Sequence, residues 1–461
     1  MDRLFAYKML MTRGTLDGLS DEAALRHIDR LSEASVGVRK ADGLMKAIGL
    51  AEELISRRTL KPSEESSVHF ALAEAWEKLR VVNHTQVELW EQDEIEHELH
   101  HLRLSMPRGA VRDIPRERLC QSLSNTAALL NHVGRFSEAI ELWDRALSLM
   151  PSFAMARGKR GYALTHYAQT LYDGEQAAAF LKCAHAELGT SLRLGLYDKA
   201  RGYFESRLRW IEARISPVEL QAGLALDDYS EGYSDDEALY RRWCLDARLF
   251  LNPLNDLGPF PVAARDTLHA ASRDPYFQGF FNQAKQAYLS ARAIYYEGLN
   301  AEGPQFSERG VNEAHSLSAE KINAAYRIAY GLSGKIALFL DQYLSLGIPE
   351  GGLAFGTLWY NGQIKADGLR PEFASRRNWP LRGLFWLSKE LFPSGDAAGA
   401  DTLPSAICDD PLYGFRRGEF EARTLRALKL VRSALVYLAL AVHAEERGRK
   451  TPLITHPPAG E

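Results

Sequence analysis

The chain has 461 residues, 46% hydrophobic and 25% charged, with a formal net charge of -4. That length and apolar content provide for roughly two or three domains with sizeable cores. The near-neutral balance excludes a polyanion binder that works through overall charge, so any nucleic-acid surface has to be local. Cys120, Cys183, Cys244 and Cys408 lie far apart with no CxxC pair, as expected of isolated thiols in a reducing compartment. The opening stretch MDRLFAYKMLMTRGTLDG has a short apolar run and no cleavage-like site, and the most apolar run, 434–442, is too short to span a bilayer. The expectation is a cytoplasmic protein with no membrane partner.

In chain order, residues 20 to 105 are helical by pattern. Ala47, Ala51 and Leu54 share a face, and VHFALAEAWEKLR (68–80) sets Phe70, Ala73 and Trp76 at helical spacing. The clearest unit follows in SLSNTAALLNHVGRFSEAIELWDRALSLMP (122–151). With Pro151 as the closing proline of an approximately 34-residue tetratricopeptide repeat, the unit begins at Cys120. Leu123 and Ala127 then face the core, Gly134 takes the positive φ of the turn, and Ala139, Trp143 and Ala146 occupy the small, large and small positions of the second helix. A degenerate unit continues from Arg157, and helices run through 176–215 until Ser216-Pro217. Residues 20–216 are expected to form a solenoid of such repeats.

Residues 217–275 hold DDYSEGYSDDEA and NPLNDLGPFPVAARD, rich in acidic and turn-forming residues, and are expected to be a connecting region. Residues 276–450 resume as a helical bundle. In 318–346, Ile322, Ala325, Ala329, Leu332, Ile336, Phe339, Tyr343 and Leu346 form one apolar seam. Gly331 and Gly334 interrupt that helix and are expected to mark a close helix contact. Further helices are expected at 378–392, with Pro380 in its first turn, and at 419–447. PSGDAAGADTLPSAICDDPLYG between them reads as a loop. The predicted fold class is therefore all-α.

Three motifs carry chemistry. His97-Glu98-Leu99-His100-His101 fits HExxH, the spacing that sets two histidines on one helix face for zinc with Glu98 as general base. Arg103 interrupts a flank that such helices keep apolar and no third ligand is evident, so a zinc hydrolase through His97, Glu98 and His101 is a distant alternative to a solvated helix face. GLSGK at 331–335 lacks the first glycine of a phosphate loop and lies inside a helical seam. Arginines cluster around Asn378-Trp379 (Arg370, Arg376, Arg377, Arg382) and along 416–432. Such rows contact phosphates or form a solvated charged face.

The second half also resembles a bacterial family of HEPN proteins that carry tetratricopeptide helices in front of the HEPN domain. The matching stretches are LNPLNDLG (251–258), FFNQAKQAYLSAR (280–292), EKINAAYRIAYGLSGKIALFL (320–340), LWYNG (358–362), RRNWPLRGLFWLSKELF (376–392) and the closing GEFEARTLRALKLVRSALVYLALAVHAEE. The resemblance implies a helical bundle that forms homodimers, no cofactor, and a metal-independent ribonuclease. In that chemistry a histidine moves the 2′-hydroxyl proton, and an arginine a few residues before it holds the phosphate. The signature belongs between Phe392 and Phe420, where this chain has no histidine. Arg160 with His166, Arg309 with His315, and Arg449 with His456 match its spacing elsewhere, as chance allows with 13 histidines, and none is assigned.

Two functions follow. The first is an RNA-associated, ribonuclease-like protein of bacterial defence or stress, catalytically degenerate where the signature is lost. Arg376, Arg377 and Arg382 are its candidate phosphate contacts and Trp379 its candidate stacking residue, with core packing the alternative role of that tryptophan. The second is a non-enzymatic scaffold that binds a protein or peptide in the repeat groove, lined by Asn131, His132 and Tyr162.

Overall fold

Helical periodicity, broken by prolines at element starts and turns, makes most of the described part of the chain helical. The computed structural model describes residues 3–57, 59–84, 90–107, 111–196, 198–221, 232–301, 317–362, 364–392 and 417–450. Among these the fold is all-α, with 17 α-helices and no strand. Two compact units interleave along the chain: Met1–His132 with Glu138–Arg160 and Glu187–Glu205, and Val133–Ser137 with Gly161–Ala186 and Ser206–Glu461. They are called unit 1 and unit 2.

Unit 1 begins with α1 (Arg3–Met11), α2 (Asp21–Gly37), α3 (Ala41–Arg57), α4 (Pro62–Asn83) and α5 (Asp93–Leu104), each packed on its predecessor. Ser20 caps α2, its hydroxyl accepting from Ala23 N at 3.3 Å, and Asp21 and Glu22 complement the helix dipole in the first turn. Leu31, Leu44, Ala47, Leu54 and Leu72 form the core. Then come α6 (Arg116–His132) and α7 (Phe136–Leu149). Ala139, Trp143 and Ala146 are fully buried, and Trp143 Nε1 donates to Ser124 Oγ at 3.3 Å, so the tryptophan fills the space that the two alanines open. The chain continues in α8 (Ala154–Thr170), α9 (Gly174–Leu194) and α10 (Asp198–Glu212). Arg160 joins α8 to its neighbours through Asp144 at 2.7 Å and Glu187 at 3.6 Å.

In unit 2, after α11 (Pro217–Gln221) and α12 (Asp235–Asp246), α13 (Pro275–Asn300) runs along α14 (Leu317–Leu344). The short α15 (Pro371–Ala374) precedes α16 (Trp379–Leu391) and α17 (Arg417–Lys450), and α17 packs on α13, α14 and α16. Every residue of the predicted seam from Ile322 to Leu346 is buried. Gly331 and Gly334 correct the expectation drawn from them: both are exposed, and a Cβ at either meets nothing within 4 Å. The close approach is made by Gly298 of α13, where a Cβ would lie 2.9 Å from Ile322 Cγ1. Asn378 caps α16 by accepting from Leu381 N at 3.1 Å, and Pro380 sits in its first turn.

The turn-rich stretch 249–270 is built of turns and short 3-10 helices, as its prolines require, and most of it is buried. Asn252, Asn255 and Asp256 are each at most 2% exposed. Asn252 Oδ1 accepts from Leu254 N at 3.0 Å, Asn255 Nδ2 donates to Leu245 O at 3.0 Å, and Asp256 pairs with Arg432 of α17. Arg432 also donates to Phe250 O at 2.9 Å and Asn252 O at 3.0 Å. The LNPLNDLG motif is thus a buried knot of side-chain to backbone bonds.

Gly134 and Gly383 test the packing of unit 2. Gly134 has φ +92°, and Cβ atoms at the two positions would collide with Trp379 O and Gly134 O respectively. Backbone cannot rotate away as a flexible side chain does, so Gly383→Ala is expected to cost about 2–3 kcal/mol. Gly331→Ala, facing open space on a helix, is expected to gain up to about 1 kcal/mol. Chemical unfolding midpoints moving in opposite directions for the two variants check this.

Candidate nucleic-acid interface

Tyr162 and His166 stand one helical turn apart on α8, so both rings lie on one face. Their centroids are 4.6 Å apart. Arg207, near the end of α10, lies over the Tyr162 ring at 4.6 Å and donates from Nη2 to its hydroxyl at 3.2 Å. The same Nη2 comes within 3.5 Å of His166 Nε2. A guanidinium only donates, so Nε2 accepts and the imidazole is neutral with its proton on Nδ1. Burial first, and the Arg207 charge second, push His166 down to about 4. An anion beside the ring would favour its protonated form against both the burial and the Arg207 charge.

Trp379, at the start of α16, makes an edge-to-face contact with His166 at 6.2 Å and packs on Phe136 at 4.7 Å. On the other side of Arg207, Trp210 lies 5.6 Å away and carries Arg214 over its face at 3.8 Å. Tyr162, His166, Arg207, Trp210 and Trp379 are all half-buried. The cluster therefore alternates aromatic faces with guanidinium groups at the surface of unit 2, the arrangement on which unstacked bases and phosphates are held together.

The sequence-predicted phosphate contacts fall differently. Arg377 is exposed. Arg376 is half-buried and ion-paired with Glu445, while its Nε donates to Glu372 O at 2.6 Å. Arg382 is 6% exposed, inside the core, so Arg376 and Arg377 are the members of the trio at the surface. In the basic row of α17, Arg432 is buried on Asp256, while Arg423, Arg426 and Lys429 are half-buried and Arg426 pairs with Glu390.

Asn131 and His132 belong to unit 1 and Tyr162 to unit 2. His132 Nε2 lies 3.5 Å from Arg80 Nη1. Arg160 has its guanidinium on Asp144 and Glu187, whereas His166 is served by Arg207, 41 residues away. That partner carries no linear signal, and the weak trace of the site was the unassigned His166 itself. The other spacing matches include His315 and His456, outside the described residues, as does the interval 393–416 in which the ribonuclease signature was sought.

The HExxH residues of unit 1 go to three different partners. His97 stacks on Trp76 at 4.2 Å. Glu98, 4% exposed, accepts from Arg80 Nη2 at 3.1 Å, and burial pushes its carboxyl up to about 8 against the pull of that arginine. His101 Nδ1 faces His69 Nδ1 at 3.2 Å. Among the described residues no group of three or more His, Cys, Asp or Glu is placed to hold a metal ion.

Residues 268–405 match the family model described as LA2681-like HEPN. Its described part spans α13 to α16, which supports a HEPN-family domain in this region of an all-α chain. No curated protein and no solved structure matches the chain. Among the described residues no helix is long and apolar enough to cross a membrane.

The His69–His101 contact needs at least one neutral ring, and burial is the main cause that holds the two down to about 4 and about 3. Both values lie below the 6.5 of an unrestrained histidine, so the unfolded chain binds more protons between them. Stability contributed by the pair is present above pH 6.5 and lost as pH falls toward 4. His69→Phe with His101→Leu is expected to flatten that part of the stability profile, measured by chemical unfolding at stepped pH.

Proposed function

We propose that the protein is an RNA-associated HEPN-family protein, ribonuclease-like but without the family's usual arginine–histidine signature, acting in bacterial defence or stress response. The observation that carries this reading is the half-exposed run of Trp379, His166, Tyr162, Arg207 and Trp210 in the unit that contains the HEPN match. Aromatic faces take bases and the guanidinium groups take phosphates. Arg376 and Arg377, just before Trp379, extend the positive surface toward a bound strand. Residues 20–216 act as tetratricopeptide-type repeats for a protein or peptide partner, and the bundle of 276–450 serves as the homodimer element. The protein works in the cytoplasm.

The second reading, a non-enzymatic interaction scaffold, is favoured by the absence of histidine between Phe392 and Phe420. A gel-shift assay with tRNA and total bacterial RNA in EDTA separates the two. The RNA reading predicts a complex that weakens steeply with salt. It further predicts about 5- to 150-fold weaker binding for Trp379→Ala, from the loss of roughly 1–3 kcal/mol of stacking, and a smaller salt dependence for Arg376→Ala/Arg377→Ala. Cleavage in EDTA that is lost in His166→Ala would place surviving chemistry at this cluster. Neither binding nor cleavage at low salt would favour the scaffold.

A further inference from the structure

Arg207 is a half-buried cation in unit 2 that no carboxylate pairs with among the described residues. Arg376, Arg426 and Arg432 of the same unit each have one, in Glu445, Glu390 and Asp256. The neighbours of Arg207 are instead the Tyr162 ring at 4.6 Å, the Trp210 ring at 5.6 Å and the His166 imidazole. A guanidinium drawn partly out of water without a counter-charge favours the arrival of an anion. Its Nη2 is engaged twice, on the Tyr162 hydroxyl at 3.2 Å and beside His166 Nε2 at 3.5 Å. Nε and Nη1 have no acceptor among the described residues and are not buried, so they stay open to solvent.

A guanidinium makes two parallel bonds to a phosphate from Nη1 with Nη2 or from Nε with Nη2, and both forks use Nη2. The contact that yields to a phosphate oxygen is the longer one, to His166, which sits at the limit of hydrogen-bond range. The oxygen then meets the lone pair of Nε2 and is repelled by it. A proton on Nε2 turns the same atom into a donor. Arg207 from α10 and Tyr162 from α8 are the titratable groups in contact with His166 among the described residues, and α16 brings the uncharged Trp379.

We propose that Arg207 and His166 form a proton-coupled phosphate seat, in which the phosphate takes a fork of Arg207 and His166 binds a proton from solvent at Nε2 to donate to the same group. The proposal rests on the RNA reading only for the source of the phosphate, a phosphodiester of an unpaired strand. The seat itself fits the group equally in a mononucleotide. The free imidazole is held down to about 4, so at about pH 5–6 the proton arrives with the ligand and not before it.

The test follows the His166 ring by NMR in the full chain with isotope-labelled histidine, the signal being identified by its absence from His166→Gln. Sulfate is the first probe, because it has the shape of phosphate and stays fully ionised throughout the titration. Saturating sulfate is expected to raise the His166 midpoint from about 4 to above about 5, while chloride at equal ionic strength leaves it in place. Arg207→Lys keeps the charge but not the fork, and is expected to lose most of that rise. Oligouridylate, whose bases bind no proton in this range, and uridine monophosphate then separate the sources. With RNA as the source, oligouridylate moves the same signal and binds up to about tenfold tighter for each pH unit between about 7 and 5, a gain that His166→Gln loses. A His166 midpoint unmoved by sulfate and by both uridine compounds overturns the proposal, as does an equal rise in Arg207→Lys. Oligouridylate that binds equally at both ends of the pH range with His166 unmoved overturns the seat and leaves the RNA reading standing. Movement with sulfate and uridine monophosphate, without binding of oligouridylate, upholds the seat and overturns RNA as its source.

Discussion

Unit 2 is organised around one buried ion pair, Arg432 with Asp256, whose residues are 2% and 1% exposed. Two charges removed from water are tolerated only when their remaining hydrogen-bonding capacity is met. Here it is. Arg432 also holds two carbonyls of the 250–252 turn, and the second Asp256 oxygen accepts from Ser137 Oγ and Tyr167 Oη, both at 2.8 Å. The pair thereby ties α17, the 3-10 knot, the start of α7 and α8 to a single point. Burial and the negative carboxylate push the Tyr167 phenol well up, so it stays a donor.

The candidate interface inherits its geometry from that point. Tyr167 anchors α8 from inside, and His166 and Tyr162 look outward from the same helix. Phe136 packs between Tyr167 at 4.3 Å and Trp379 at 4.7 Å, and meets Tyr437 of α17 at 4.6 Å. Ser137 N donates to the Tyr437 hydroxyl at 3.2 Å. The backbone contact between Gly134 and Gly383 then sets the height of α16, and with it the position of Trp379. A half-exposed tryptophan held this way is a rigid platform, and a rigid platform loses little entropy when a base stacks on it.

Legibility in the sequence followed the range of the physics. Periodic burial is local, so the seam of α14, the small–large–small pattern around Trp143 and the first-turn proline of α16 were readable from spacing alone. Long-range pairing is not. Arg432 lies in a row that reads as a basic surface, and only the fold brings Asp256 beneath it. The prolines and Asn/Asp pairs of 249–270 correctly announced turns, but turns usually lie outside, and nothing local revealed that these are buried. Gly331 and Gly334 looked like contact glycines because glycine in a helix demands a reason, yet the contact belongs to Gly298. At the candidate site, Trp379 and Tyr162 were singled out for two different functions. His166, seen beforehand only as a chance spacing match, lies against both, and Arg207 supplies the charge that Arg160, engaged with Asp144 and Glu187, does not.

The central claim is that RNA lies across the aromatic and basic cluster of unit 2. Ultraviolet crosslinking of the full chain to uniformly labelled tRNA, with the adducted peptides mapped by mass spectrometry, tests it most directly. The account predicts adducts on Tyr162, Trp210 or Trp379, suppressed by unlabelled RNA and by high salt. Adducts confined to unit 1, or no specific adduct on these three rings, would contradict it.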